Sequence, residues 1–460
     1  MKLVNFLIKK TKICRVLFCI GFFSINAWAQ VPEQELIIKT DLPKNTKAKV
    51  FIKAEEFPVE YRFMWVTRYQ MQTTRDVDLI IERAGKYNFN AIFVQVCALG
   101  EAFFHSKINP WGKGINKEFD PLKQLIHEAK KEDIEVHVWL NTAYVWGNRE
   151  LPKNKEHVVL RHPEWVIKDI KGRSLLEYSA WERTWAKVTG IYLDLGIAEV
   201  KQYFTALFLE VVNNYEIDGL HFDYIRYPGP QFGFNQELAE DFQRKYQVDP
   251  RALISNKSVA LSVFGKERYR ELLKAWDKYR QKQVEELIAE IRNKAKGIKP
   301  DLKISAAVIA DIDQAKERYF QDWEAWLKKG IVDFVAPMSY SIRDDLVEKQ
   351  IGVAVQMAQN YDRGVVIGLG AWRQDPEDIM RKIQFTRKVR DEMGFKNLLG
   401  ISLFSYDGII KKSDYLMSLR KGVFPTKAQI PRFSWQQSAR PEPLAEALPT
   451  DSVTLQVIEQ

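Results

Sequence analysis

Residues 217–230, IDGLHFDYIRYPGP, place two carboxylates, an imidazole, a guanidinium and two phenols in an otherwise apolar run. Side chains alternate along a strand, so Gly219, His221 and Asp223 share one side, and Leu220 and Phe222 the other. Asp223 closes the run. A carboxylate held there suits proton transfer or attack on an electrophilic carbon. Arg226, three residues on, would keep a nearby carboxylate ionised. Asp223 is therefore expected to serve as nucleophile, base or charge stabiliser, and Arg226 and His221 to contact a ligand. Asp218, at the start of the run, is expected to cap a turn or pair with a neighbour.

Other candidates follow other apolar runs. Glu101 lies in ALGEAFFHSKINPW beside Phe103 and Phe104, surroundings that suit a proton donor. Asp311 and Asp407 are the reserve carboxylates, and Asn141 and Tyr340 supply hydrogen bonds. Trp111, Trp146, Trp165, Trp181, Trp185 and Trp372 fall in loops after the second, third and seventh runs. Flat apolar faces with polar tips suit sugar rings. Trp146, Trp181 and Trp372 are expected to touch them, with Trp185 as an alternative within the long loop, while packing accounts for half or more of the set. Two carboxylates flanking a saccharide would perform glycosidic hydrolysis.

The elements that must position these groups alternate. Strands are expected at 62–67, 91–96, 136–141, 217–223, 303–309, 332–340, 365–370 and 399–406. Helical spacing marks 75–87, 120–132, 198–215, 264–296, 323–329, 346–361 and 377–393. Eight apolar strands alternating with helices predict an α/β fold, a (β/α)8 TIM barrel, whose site lies at the C-terminal strand ends. An open doubly wound sheet is the alternative, but VTRYQMQTT after the first strand lacks a dinucleotide-binding glycine pattern. The connection after strand three, 142–197, exceeds the length at which loops are usually functional or disordered.

The chain divides in expectation into a signal peptide (1–29), a β-like N-terminal extension (30–60), the barrel (61–420) and a Pro-rich C-terminal tail (421–460). Lys2, Lys9, Lys10, Lys12 and Arg15 precede an apolar run and the Ala27-Trp28-Ala29 cleavage signal, which predicts export to the periplasm or medium with no stable membrane insertion after cleavage. The full chain has 69 basic and 60 acidic residues; without residues 1–29 it has 64 and 60, well mixed, which gives nucleic-acid binding no support. Cys97 is then the one remaining cysteine and is expected to be a packed thiol. The six histidines form neither H-x-H nor H-E-x-x-H, and no G-x-S-x-G elbow occurs, so neither a metal nor another cofactor is expected.

Several blocks occur in order: RFMWVT, NFNAIFVQVCALGEAFFHSKINPW, DPLKQLIHEAKKEDIEVHVWLN, HPEWV, YLDLGIAEVKQYF, YEIDGLHFDYIRYP and VDFVAPMSY. Together they resemble the glycosyl-hydrolase-like 10 family of bacterial exported proteins, over roughly residues 61–420. The resemblance implies a (β/α)8 barrel acting as a glycosidase. It also implies a peptidoglycan substrate, especially glycan strands stripped of their stem peptides. Asp218 and Asp223 match the two acids of the family's fourth-strand motif. Glu101 matches a position that is usually aspartate in the family's G-D-A block. A non-catalytic carbohydrate-binding barrel of the cell envelope is the alternative function.

Overall fold

The computed structural model describes residues 57–433, together with two short strands, Ala48–Lys49 and Gln456–Val457, that pair antiparallel. The signal-peptide and most of the N-terminal-extension expectations fall outside the described residues.

Eight parallel strands close on themselves: β1 (Tyr61–Val66), β2 (Ala91–Ala98), β3 (Glu135–Asn141), β4 (Gly219–Asp223), β5 (Lys303–Val308), β6 (Phe334–Ser339), β7 (Gly364–Gly370) and β8 (Leu398–Phe404). Each pairs with the next, and β8 pairs with β1. This is the expected TIM barrel. Its main covering helices are α1 (Thr74–Lys86), α2 (Pro121–Lys131), α3 (Ala198–Asn214), α4 (Lys257–Ile298), α5 (Trp323–Lys329), α6 (Asp344–Asn360), α7 (Pro376–Glu392) and α8 (Tyr415–Gly422). The starts are set by local chemistry. Thr73 and Asp76 form a capping box on α1, and Asp120 caps α2 ahead of Pro121. The long α4 breaks at Gly265, whose φ of 70° lies outside helical space.

Period-two alternation sorts the strand residues. Leu220 and Phe222 face the helices, with Phe222 stacked on Phe208 of α3 at 4.5 Å. Tyr61, Phe63, Trp65, Phe93, Trp139 and Phe334 fill the barrel. At its N-terminal end Glu135 accepts from the Tyr61 hydroxyl at 2.9 Å, meets the His137 ring at 3.1 Å and pairs with Lys303. Asp218, just outside β4, accepts from the Val136 amide at 2.8 Å, the bracing role expected of it.

The barrel extends beyond residue 420. Phe433 is buried against Tyr61 and Phe334. The carbonyls of Phe424, Thr426 and Ala428 accept from Asn88, Arg62 and Asn90. Residues 424–433 of the Pro-rich C-terminal segment thus lie on the N-terminal end of the barrel.

Candidate active site

Four residues meet where β2, β3 and β4 end. Asn141 and Asp223 are register partners on β3 and β4. Asn141 Oδ1 accepts from Trp139 Nε1 at 2.9 Å and from Gln95 Nε2 at 3.4 Å. Gln95 Oε1 in turn accepts from Arg68 Nη1 at 2.9 Å. The charge of Arg68 acts on Glu101. A hydrogen-bonded chain therefore runs from Arg68 through Gln95 to Asn141 and Trp139, with Asp223 beside Asn141 in register and Glu101 within the influence of the Arg68 charge.

Two sharp turns aim the carboxylates. Tyr224, directly after Asp223, has a φ of 49°, a left-handed conformation rarely adopted by non-glycine residues. Its amide donates to Asp223 Oδ1 at 2.6 Å. Before Glu101, Leu99 and Gly100 have φ values of 53° and 67°. Gly100 is required twice over, because a Cβ there would also lie 2.5 Å from His157 Nε2. Glu101 accepts from the Lys113 amide at 3.3 Å.

Both carboxyls are pushed above the ordinary range by burial. For Glu101, the Lys113 amide and the Arg68 charge oppose the shift. For Asp223, Arg226 opposes it first, then the Tyr224 amide and the Trp139 indole. Asp223 differs here from the expectation that Arg226 holds it ionised. Arg226 Nη1 lies 3.7 Å from Asp223 Oδ1, beyond hydrogen-bonding length, and its guanidinium is over the Tyr224 ring at 4.4 Å. At that range desolvation of Asp223 outweighs the ion pair.

The opposite wall is aromatic. Tyr340 stands T-shaped to Trp372 at 5.2 Å and stacks on Phe404 at 5.4 Å. Burial and the charge of Asp223 push the Tyr340 phenol up, which sets it near that carboxylate. Tyr144, from the β3–β4 connection, packs against Tyr224 with ring centroids 4.6 Å apart and planes tilted by 32°. Asp407, just after β8, accepts from Thr67 Oγ1 at 3.1 Å and so joins the rim beside β1.

Three expected residues have other surroundings. His221 is fully buried one layer below the mouth, between Trp65 and Phe93, and its Nδ1 meets Ser305 Oγ at 2.8 Å. Burial pushes this imidazole well below its ordinary range, so it is a neutral packing group. Trp146 is buried against His157 and donates to the Glu150 carbonyl at 2.7 Å, so it packs the connection. Asp311 is exposed and caps helix Ile312–Arg318 through the Gln314 amide at 2.9 Å. Trp181 is exposed on helix Ala180–Trp185. Arg68, Gln95, Trp139, Tyr144, Tyr224 and Phe404 were not foreseen. Gln95 had a signal, a lone amide in the apolar run AIFVQVC. Cys97 is buried beside Asn109, its thiol pushed up to about 12 by desolvation, as fits a packed thiol.

Two surface cavities, of about 270 and 170 Å³, are lined by Lys107, Arg161 and Trp165 and by Glu164, Lys168 and Asn235; neither is lined by Asp223 or Glu101. Among the described residues no group of three or more His, Cys, Asp or Glu is arranged to hold a metal ion, and no helix is long and apolar enough to cross a membrane.

The closed parallel barrel, with carboxylates, amides and aromatic rings at its C-terminal rim, places the chain among the (β/α)8 TIM barrels. Residues 60–371 match the model of the family described as Glycosyl hydrolase-like 10, and the chain belongs to that family. Among curated relatives, Glycosyl hydrolase YngK of Bacillus subtilis is 23% identical over 415 residues, covering 79% of this chain and 69% of its own length. Glycosyl hydrolase DigH of Escherichia coli K12 is 26% identical over 298 residues, covering 59% of this chain and 58% of its own length. The chain therefore spans little more than half of DigH. The glycoside hydrolase domain of PgaB (BpsB) from Bordetella bronchiseptica shares the fold with a TM-score of 0.58 at 16% identity, covering 79% of this chain and 98% of that one. The catalytic domain of a Paenibacillus polymyxa β-amylase does so with a TM-score of 0.54 at 11% identity, covering 80% and 99%.

Proposed function

We propose that this protein is an exported glycosidase that cleaves the glycan strands of peptidoglycan, acting on strands without stem peptides, by acid/base chemistry between Asp223 and Glu101. The observation that carries the reading is that two desolvated carboxyls lie at strand ends at the barrel mouth, Asp223 on β4 in register with Asn141 and Glu101 in the turn after β2 within the influence of Arg68. Asp223, the more deeply buried of the two, is biased toward its protonated form by desolvation and donates its proton to the leaving oxygen. Glu101, half-buried and near Arg68, is the member that solvent reaches, and it acts as base or nucleophile at the anomeric carbon. Asn141, Arg226 and Tyr340 bond the sugar hydroxyls, and Trp372 with Phe404 packs a ring face. The cell-wall substrate rests on the family resemblance, and export on the basic and apolar start before Ala27-Trp28-Ala29.

The test is to incubate the protein with purified glycan strands, with and without stem peptides, and to identify products by mass spectrometry. New reducing ends from stripped strands are expected, with fewer from strands that keep their peptides. Binding without product would leave a carbohydrate-binding barrel. N-terminal sequencing of the mature protein should begin at Gln30; retention of full-length chain in the membrane fraction would contradict export.

A further inference from the structure

Arg68 stands at the barrel mouth in the short helical turn Arg68–Gln70, just beyond the end of β1. Its Nη1 donates to Gln95 Oε1 at 2.9 Å, and its Nη2 donates to the Tyr69 hydroxyl at 2.5 Å. The guanidinium also lies over the Tyr69 ring at 4.2 Å. It is 5.8 Å from the centre of the Phe103 ring, which sets it beside the turn that carries Glu101. The rim carboxylates are engaged by other groups. Asp223 faces Arg226, Asp407 accepts from Thr67 Oγ1, and Glu101 accepts from the Lys113 amide. Among the described residues no carboxylate comes within ion-pair distance of Arg68.

The guanidinium is held but not used up. It has five N–H donors, and its two side-chain contacts occupy one on each terminal nitrogen. Arg68 is half-buried and Tyr69 is exposed, so this corner of the mouth opens to solvent. Arg226 is the more buried of the two arginines and already faces an acid, whereas Arg68 faces none. A planar cation fixed by a buried amide on one side and a phenol on the other is pre-organised for a planar anion, which a carboxylate supplies. Its place is inside the site. Gln95, which holds Arg68, also donates to Asn141, and Asn141 is the register partner of Asp223.

We propose that Arg68 binds a carboxylate carried by the substrate, so that the site selects an acidic glycan and Arg68 is its specificity-determining residue. This rests on the glycosidase reading and deepens it. In a peptidoglycan strand that keeps its stem peptides, the lactyl carboxyls are tied up as amides. Hydrolysis of those amides leaves one carboxylate on each muramic acid. The carboxylate gains a charge-assisted pair with Arg68 that the neutral amide does not, and this difference selects stripped strands.

The test gives the full chain stripped strands in two forms, one with free lactyl carboxyls and one with those carboxyls converted to primary amides. The native protein should cleave the acid form with a kcat/KM about tenfold or more above that of the amide form. Arg68→Gln should bring this ratio close to one, chiefly by raising KM for the acid form. Arg68→Lys keeps the charge without the planar fork and should give an intermediate ratio. Each ratio is internal to one protein, so a loss of activity common to both substrates does not enter it. A native protein that cleaves the two forms equally overturns the proposal and leaves the glycosidase reading standing, even if Arg68→Gln does not fold. An Arg68→Gln protein that keeps the native ratio and shifts only the pH profile also overturns it, because Arg68 would then act on Glu101 and not on the substrate. A native protein inactive on every glycan overturns both the proposal and the glycosidase reading.

Discussion

Asp223 titrates against two opposed influences, burial and the nearby Arg226 charge, and burial prevails. If the protonated form of Asp223 is the proton donor, activity falls as pH rises through its raised pKa. Removing the Arg226 charge removes the main influence favouring the ionised form. The alkaline limb of the kcat/KM profile should therefore move to higher pH in Arg226→Gln. A limb that stays in place or moves to lower pH would mean that another group controls it. At this scale the sequence was legible where backbone geometry dictates direction. Alternation along β4 correctly sends Asp223 to the mouth and Phe222 to the helices. It could not say how deep a residue lies, so His221 was assigned to the ligand although it sits a layer lower. Nor could it weigh desolvation against a charge three residues away, because that balance depends on a distance set by the fold. Asp311 shows a local role winning: an aspartate ahead of a short helix satisfies the Gln314 amide.

Glu60 shows how one buried carboxylate ties elements together. It precedes β1 and pairs with Arg62, Arg387 at the α7 surface and Arg390. Although burial raises its pKa, hydrogen bonding and charge from Arg387, followed by Arg62, bring it down to about 2. Its folded-state pKa is depressed, so its stabilising contribution is present in full above the ordinary carboxylate range and is lost as pH falls toward 2. Glu60→Gln leaves the buried arginine Arg62 without its carboxylate and should cost about 3–5 kcal/mol, read from denaturant melts at neutral pH. The difference from the native chain should shrink as the pH is lowered. An equal difference at every pH would assign Glu60 a purely steric role. The strands were legible as elements because parallel strands buried on both faces are continuous apolar runs, and their ends shift by only one or two residues at most positions. The interior of the β3–β4 connection was not legible. A count of tryptophans predicts aromatic packing or display, but which way each ring turns depends on contacts such as Trp146 with the Glu150 carbonyl.

At the scale of the molecule, residues 424–433 belong to the barrel. No periodicity announces them, because they run as irregular chain whose Phe424 and Phe433 fill gaps left by other elements. A chain ending at Arg420 loses those rings and strips Arg62, Asn88 and Asn90 of carbonyl acceptors. It should lose cooperative thermal unfolding by circular dichroism; a native-like melt would show the segment to be dispensable. Glycan cleavage by this barrel depends on Asp223 acting at its mouth. Its most direct test is the rate of glycan-strand cleavage by Asp223→Asn, measured beside the melting temperature. Turnover should fall by a factor on the order of 10² or more, as removal of a proton-transfer group causes, with the fold intact. Near-native turnover by a folded Asp223→Asn protein would contradict it.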